Sequence, residues 1–352
     1  MLNAFFRPDL ADLQPFTVPN KEGKISLHLN EAPFPPEIRE KFQAVLAQEL
    51  PYNQYGDPYA GELREAVAAY TGTKPENILF GNGSDELIYL LHLTFGGSNR
   101  RMVLPVPTFV SYQIYGTVAE TELVPVVINP DFSLPVEKII AASKQPNTSL
   151  VAICNPNNPT GHLFSPADLR QVIGNAASLV IVDEAYFEYS GQTVAPYLQN
   201  HPNLIILRTF SKAFSAAGIR IGYLLAHPQV ITEMSKVKLP FNLGIFQQTI
   251  GKILLQNREL ALAMVEKIKS ERARVSAALA EIPGVKVFPS HTNFILISTP
   301  QPADNLWRTL YDRGIIVSNP SHYPLLENCL RIGIGTPEEN NTLLAALKEI
   351  LS

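Results

Sequence analysis

Four short segments of this 352-residue chain place polar or ionisable side chains directly after a run of apolar residues. They are residues 81–86 (Gly-Asn-Gly-Ser-Asp-Glu), 155–161 (Asn-Pro-Asn-Asn-Pro-Thr-Gly), 183–186 (Asp-Glu-Ala-Tyr) and 208–214 (Arg-Thr-Phe-Ser-Lys-Ala-Phe). An apolar run that ends in this way is typical of a buried strand. Because ligands of open α/β sheets bind beyond the carboxyl ends of the strands, we interpret the four segments as one candidate site.

The first segment is a candidate anion site. Its two glycines allow a tight turn into the helical pattern of residues 87–91, and Ser84 or Asp85 could cap that helix. Amide groups at a helix N-terminus favour negative charge, so the turn could cradle a phosphate. Glu86 stands where a dinucleotide-binding loop has its third glycine, which disfavours a nucleotide, and an ordinary capped turn is the alternative.

The last segment contains Lys212 among small and apolar residues. Partial burial would lower the pKa of its amine, as a lysine that forms a Schiff base requires. The hydroxyls of Thr209 and Ser211, together with Arg220, could bind one phosphate. A lone lysine is more often a solvated surface residue, and Asp183 alone could cap a helix. The recurrence of such groups at successive strand ends nevertheless favours a reactive site.

Composition and charge exclude several classes of protein. Hydrophobic residues make up 46% of the chain and charged residues 17%, which predicts a sizeable core in two domains and excludes a largely disordered chain. The net charge of −4 gives no sign of a nucleic-acid surface, and we find no leader or membrane span, so we expect a cytoplasmic protein. Cys154 and Cys329 are expected to be buried free thiols, and the histidine spacing predicts no metal site.

The apolar runs themselves predict an α/β protein. They alternate with helical patterns and lie at residues 77–80, 102–106, 122–127, 150–154, 179–182, 204–207 and 221–226. Because they are apolar on both faces, we predict parallel strands in a mostly parallel, helix-covered sheet. A long helical pattern then leads into a smaller α+β unit. We expect a proline-rich arm at residues 1–35, a large domain at 36–260 and a small domain at 261–352.

Together the segments resemble the fold type I pyridoxal-phosphate aminotransferases, and most closely the histidinol-phosphate aminotransferase family. The motifs that carry the resemblance are 158–161 (Asn-Pro-Thr-Gly), 183–186 (Asp-Glu-Ala-Tyr) and Ser211-Lys212. The similarity extends from residues 7–10 (Arg-Pro-Asp-Leu) to 330–333 (Leu-Arg-Ile-Gly). It implies pyridoxal 5'-phosphate (PLP) as cofactor and amino transfer from histidinol phosphate to 2-oxoglutarate, yielding imidazole acetol phosphate and glutamate in histidine biosynthesis.

The resemblance also implies roles for individual residues. Lys212 would bind the cofactor covalently and act as the general base, and Asp183 would pair with the pyridinium nitrogen. Tyr186 and Asn158 would hydrogen-bond the ring hydroxyl oxygen. The ring would stack on Phe109, and the phosphate would be held by Ser84, Asp85, Thr209, Ser211 and Arg220, with Tyr55 reaching it from the partner subunit of a homodimer.

The same resemblance places Arg331, Asn30 and Phe16 in the substrate site, where Arg331 would bind a carboxylate or another anionic group. The chain departs from the family at two positions. Ser318 follows a strand where the family usually has a phosphate-contacting arginine, and Phe16 stands where the arm often has a tyrosine. Either His322 substitutes for the arginine or the donor is not a phosphate. The alternatives are therefore an aromatic-amino-acid aminotransferase, a PLP-dependent decarboxylase of the same fold, or a non-catalytic binding module.

Overall fold

The structure, a computed structural model, describes residues 5–11, 13–15, 17–47 and 49–351. The strands are β1 (Ile25–Ser26), β2 (Ile78–Asn82), β3 (Arg101–Val106), β4 (Glu122–Val127), β5 (Thr148–Cys154), β6 (Leu179–Asp183), β7 (Leu204–Thr209), β8 (Ile221–Ala226), β9 (Lys286–Val287), β10 (Phe294–Ser298), β11 (Ile315–Ile316) and β12 (Cys329–Gly333). The helices are α1 (Pro36–Leu46), α2 (Gly61–Thr71), α3 (Ser84–Phe95), α4 (Ser111–Val118), α5 (Val136–Ser143), α6 (Pro166–Asn175), α7 (Phe187–Ser190), α8 (Pro228–Ser235), α9 (Ile245–Gln256), α10 (Arg258–Ala280), α11 (Ala303–Asp312) and α12 (Pro337–Leu351).

In the described part of the chain, seven strands form the large sheet in the order β2-β8-β7-β6-β5-β3-β4. The apolar runs predict a mostly parallel sheet, and this fold class is confirmed: β4, β3, β5, β6 and β7 are parallel. The prediction is wrong for β8, which runs antiparallel to both β2 and β7. A parallel return requires a long crossover, usually a helix. Residues 210–220 contain only a three-residue 3₁₀ turn, so the chain reverses instead.

Strand β4 also differs from its prediction. Its apolar sequence predicts burial on both faces, but its residues are half-buried or exposed along the strand. The reason is its place at the edge, since β3 is its neighbour on one side and no strand among the described residues pairs with the other. Strand β7, near the centre of the sheet, is buried throughout.

Helices cover both faces of the large sheet. On one face, α3, α4 and α8 pack through a cluster that includes Leu87, Tyr112 and Met234. On the other face, a larger cluster joins α2, α9 and α10 to the strands and continues without a break into the C-terminal unit through Phe294 and Leu343. Strands β9, β10 and β12 form a separate antiparallel sheet there.

The N-terminal segment contributes to this second unit. Strand β1 pairs in parallel with β11, with Ile25 opposite Ile315. The next residue, Leu27, is buried in the larger cluster, and its carbonyl accepts a hydrogen bond from the Gly333 amide at 2.8 Å. Residues 25–33, which we call the crossing segment, therefore run from the small sheet toward the large one. None of the helices in the described ranges combines the length and apolar character needed to cross a bilayer.

Candidate active site

Asp183 is the last residue of β6, at the carboxyl edge of the large sheet. Its Oδ1 accepts a hydrogen bond from the Ala185 amide at 3.1 Å, and its Oδ2 accepts one from the Tyr112 hydroxyl at 3.1 Å. Burial raises the pKa of Asp183, these two bonds oppose the rise, and the resulting value is about 6. At neutral pH the carboxylate is therefore mostly ionised and can pair with a cationic ligand group.

Lys212 lies in the loop that follows β7. Its Nζ donates a hydrogen bond to the Leu29 carbonyl of the crossing segment at 2.8 Å. Burial, and after it the positive charge of Arg331, lower the pKa of the ammonium to about 8. Because an appreciable fraction of such an amine is neutral close to physiological pH, Lys212 can act as a nucleophile or a base.

Arg220 joins two other parts of the predicted site. Its Nη2 lies 3.2 Å from Asp85 Oδ2, and its Nη1 lies 3.4 Å from Ser211 Oγ. The hydroxyl of Thr209 donates to Ser211 Oγ at 2.9 Å. One guanidinium and two hydroxyls thus meet at the N-terminal end of α3, and this set of groups binds phosphate well.

The start of α3 differs from the sequence prediction in one respect. The capping residue is Gly83, and within the described residues no side chain caps the helix, so the prediction that Ser84 or Asp85 does so is wrong. The Asp85 carboxylate instead binds Arg220 and the hydroxyl of Ser111. Gly83 adopts a φ of +78°, and a Cβ there would collide with the Arg220 guanidinium. The turn is therefore a cradle that keeps its helix amides available to an anion.

A second polar network lies where the crossing segment passes over β6. The Asn30 side-chain amide donates to the Tyr186 hydroxyl at 2.9 Å, and the Asn293 amide donates to the Asn30 carbonyl at 2.8 Å. Arg331 Nη1 donates to Asn158 Oδ1 at 2.6 Å. Asn30 is thus joined to Tyr186, and Arg331 to Asn158, although the members of each pair come from distant parts of the sequence.

Three buried polar atoms in this network have no hydrogen-bond partner among the described residues. They are Asn30 Oδ1, Asn293 Oδ1 and Arg331 Nε. Buried polar atoms are nearly always paired in native structures, so an unpaired group here calls for an explanation. A polar ligand between the crossing segment and the carboxyl edge would supply the partners. Together with the cradle at Gly83, this observation fits the cofactor that the sequence resemblance implies.

The predicted roles of three further residues, Phe109, Tyr55 and Phe16, stay predictions. Phe109 is half-buried and packs against the cluster under α3 and α4. Tyr55 is 83% exposed and stacks on Phe241 with ring centroids 4.5 Å apart. Phe16 lies outside the described residues. Both Cys154 and Cys329 are buried free thiols, as predicted.

Sequence reasoning missed two features of the site. Tyr112 lies on α4, and no local pattern indicates that it reaches Asp183. Glu184 and Arg208 form a buried ion pair behind the site, with both Nε and Nη2 of the arginine on Glu184 Oε2 at 3.0 and 2.8 Å. Position alone gives a signal for the pair, because each residue adjoins a predicted site residue, Asp183 or Thr209.

Comparison with known proteins identifies the family. Residues 22–347 match the family described as aminotransferase class I and II. A histidinol-phosphate aminotransferase of Desulfitobacterium hafniense is 38% identical, covering 99% of this chain and 98% of that protein. Histidinol-phosphate aminotransferase 1 of Carboxydothermus hydrogenoformans is 40% identical, covering 99% of each chain.

The solved structures agree with the sequence comparison. The crystal structure of histidinol-phosphate aminotransferase from Sinorhizobium meliloti in complex with pyridoxal-5'-phosphate has a TM-score of 0.88 at 26% identity, covering 98% of this chain and 97% of that one. The family model and the full-length sequence similarity therefore lead to one conclusion: the chain is a transaminase that belongs to the class I and II aminotransferases, within the histidinol-phosphate aminotransferase family.

Proposed function

We propose that the protein is a PLP-dependent aminotransferase that converts histidinol phosphate and 2-oxoglutarate into imidazole acetol phosphate and glutamate. The observation that carries the proposal is similarity to histidinol-phosphate aminotransferases over the whole chain, with 38% identity across 99% of it in one case. The cradle, the buried carboxylate and the lowered pKa of the lysine support the same activity.

The cofactor fits the polar groups at the carboxyl edge. The first turn of α3 and Arg220 would hold its phosphate, Asp183 would hold a proton at its ring nitrogen, and Tyr186 would bind its hydroxyl oxygen. The ring would pack against Phe109. When bound, PLP supplies an electron-withdrawing ring that acidifies the Cα–H bond of an amino substrate.

Lys212 would perform the proton transfers. Because its pKa is lowered to about 8, its amine would take the proton from the substrate Cα at neutral pH and return a proton later in the cycle. The Leu29 carbonyl, 2.8 Å from Nζ, would orient the amine between proton transfers. Water would be kept away by the crossing segment, which lies over this side of the site.

Arg331 would bind the carboxylate of glutamate or 2-oxoglutarate, with Asn30 beside it. The guanidinium lies over the Phe294 ring, 5.3 Å from the ring centre, and is fixed by Asn158. Across a β-bridge, the residue paired with Arg331 is Ser318. Because Ser318 is neutral, it offers a substrate phosphate a hydroxyl instead of a second guanidinium. This observation favours an aromatic amino acid as the second candidate donor.

We also propose that the active unit is a homodimer. Tyr55, Tyr52 and Tyr59 are large aromatic side chains of one loop region, and each is mainly exposed in the single chain. Such a cluster is unusual on the free surface of a monomer and typical of an interface. Sedimentation of the purified protein tests the proposal: a dimer is expected, and a monomer at micromolar concentration with full activity contradicts it.

The division into an arm, a large domain and a small domain at residues 35 and 260 is likewise our proposal. The second boundary falls in the first turn of α10, just after α9 ends at Gln256. Two buried free thiols also fit a reducing compartment, which supports a cytoplasmic location.

A substrate panel tests the proposed activity. The purified enzyme is given histidinol phosphate, phenylalanine, tyrosine or aspartate, each with 2-oxoglutarate, and kcat/KM is compared. We expect the highest value for histidinol phosphate. A higher value for phenylalanine or tyrosine would favour the aromatic enzyme, release of carbon dioxide would identify a decarboxylase, and a colourless protein that takes up no PLP would indicate a binding module.

A further inference from the structure

The two oxygens of Asp183 have different surroundings. Oδ2 faces the Tyr112 hydroxyl at 3.1 Å and the Cys154 thiol at 3.9 Å, and that thiol in turn accepts a hydrogen bond from the Thr108 hydroxyl at 3.3 Å. Oδ1 accepts a hydrogen bond from the Ala185 amide. Since a carboxylate oxygen has two lone pairs, Oδ1 keeps one for a further donor, whereas Oδ2 is occupied from behind.

We propose that Tyr112 is a positioning residue that fixes Asp183, so that its carboxylate stays ionised and presents Oδ1 to the ring nitrogen of the cofactor. The inference rests on the proposed PLP-dependent function. It assigns a role to a residue that would not itself touch the cofactor or the substrate. The Tyr112 hydroxyl would act through the carboxylate alone.

Among the described residues, Asp183 is the hydrogen-bond partner of the Tyr112 hydroxyl. The side chain is fully buried on α4 among apolar residues of the cluster under α3. Burial raises its pKa, so the hydroxyl keeps its proton and acts as a donor throughout the working pH range. Its hydrogen bond therefore favours the charged form of Asp183, opposing the burial that raises the pKa of that carboxyl.

Other ionisable groups around Asp183 act in the opposite direction. Asp85 on α3 and Glu184, the residue after β6, raise the Asp183 pKa through their negative charges, after the larger effect of burial. Cys154 on β5 and Tyr186 also interact with Asp183 electrostatically, and burial keeps both protonated by raising their pKa values. Tyr112 and the Ala185 amide are thus the two donors that lower the pKa of Asp183 and favour its charged form before the cofactor binds.

Tyr112→Phe tests the role because it removes one oxygen and keeps the ring. A hydrogen bond to a charged group is worth enough that PLP affinity should fall by about ten- to a hundredfold. The pH at which the visible absorption band of the bound cofactor changes should also shift, since a protonated Asp183 no longer holds the ring proton. We expect kcat to fall more than the KM of the amino donor rises.

Tyr189→Phe is the matched control. Tyr189 is also fully buried, but its hydroxyl has no hydrogen-bond partner among the described residues. Its loss should leave PLP affinity, the absorption pH profile and kcat unchanged. If both variants alter these properties equally, the effect of Tyr112→Phe is one of packing and the inference is overturned.

A double-mutant cycle with Asp183→Asn isolates the coupling. If Tyr112 acts through Asp183, Tyr112→Phe should cause little further loss of PLP affinity in the Asp183→Asn background. Additive losses, or a Tyr112→Phe variant with wild-type affinity and pH profile, would overturn the inference. The proposed function fails separately: if PLP binds as expected here but histidinol phosphate does not react, the role of Tyr112 stands and the substrate assignment falls.

Discussion

Two arginine–carboxylate pairs lie near the carboxyl edge of the large sheet, and they differ in almost every physical respect. The inner pair, Glu184 with Arg208, is 1% and 3% exposed, with two hydrogen bonds to one carboxylate oxygen. The rim pair, Asp85 with Arg220, is 37% and 41% exposed and has one contact at 3.2 Å.

The inner pair uses its hydrogen-bonding capacity within the protein. Glu184 Oε1 accepts from the Val194 amide at 2.7 Å, Arg208 Nη2 donates to Thr193 Oγ1 at 2.7 Å, and the guanidinium lies over the Phe187 ring. It ties the end of β6 to the end of β7, which carry Asp183 and Thr209. The rim pair leaves guanidinium donors free, so it can receive a ligand. An arginine–carboxylate pair therefore stabilises the scaffold in one place and, as we propose, binds a ligand in the other.

Lys212→Ala is expected to have the largest effect on activity and little effect on stability. Lys212→Ala removes both the covalent anchor and the base, so we expect activity to fall by more than about 10⁴-fold. The melting temperature of the apoprotein should be unchanged or higher, because a partly buried cation is removed. Steady-state kinetics and thermal denaturation measure the two quantities. Turnover near the wild-type rate would refute the role of Lys212.

A change in the inner pair should lower the stability of the apoprotein. Glu184→Gln leaves the Arg208 charge buried without a carboxylate, which costs about 3–5 kcal/mol of unfolding free energy. Chemical denaturation of the apoprotein measures the loss. The control is Glu233→Gln, which breaks the exposed pair with Lys236 and should change stability by less than about 0.5 kcal/mol. If the two variants are equally stable, the inner pair does not anchor β6 to β7.

The uptake of PLP by the apoprotein should depend on pH through Lys212. An ammonium must lose its proton before it reacts with an aldehyde, and the Lys212 pKa is lowered to about 8. The rate at which the apoprotein takes up PLP should therefore rise about tenfold per pH unit below 8 and level off above it. Stopped-flow absorbance at constant ionic strength measures the rate. A rise that continues to pH 10 would mean that burial does not lower this pKa.

The smallest effect is expected from Arg220→Lys. Lysine keeps the charge but loses the planar fork that would bind phosphate oxygens, so PLP affinity should weaken about tenfold. Because the rim pair is half-exposed, unfolding should be unaffected. Arg274→Lys, which changes the exposed arginine that pairs with Glu271 on α10, is the control and should retain full affinity. Equal affinity in both variants would remove Arg220 from the phosphate site.

Much of the sheet could be predicted from sequence because central strands must be apolar on both faces. The runs 122–127 and 221–226 coincide with β4 and β8 to the residue. The direction of β8 could not be read in the same way, since a strand has the same composition in either direction. The exposure of β4 depends on which strand lies at the edge, and that is decided by topology.

Part of the candidate site could likewise be predicted from sequence and part could not. Lys212, Asp183 and Gly83 follow strands whose ends meet at one edge, so their proximity follows from the α/β pattern itself. The hydrogen bond from Tyr112 to Asp183 and the contact of the Leu29 carbonyl with Lys212 span 71 and 183 residues. No periodicity or motif links residues that far apart.

The fold class, the strand ends and the chemical types gathered at them can be read from the order of the residues, because local burial and turn chemistry act on neighbouring residues. Only the three-dimensional structure shows which oxygen of Asp183 accepts the Tyr112 hydrogen bond, and that Arg208 is buried whereas Arg220 is half-exposed. Those outcomes depend on packing between distant segments, above all the crossing segment and α4. Residue type limits which partners a side chain can have, and packing determines which of them it contacts.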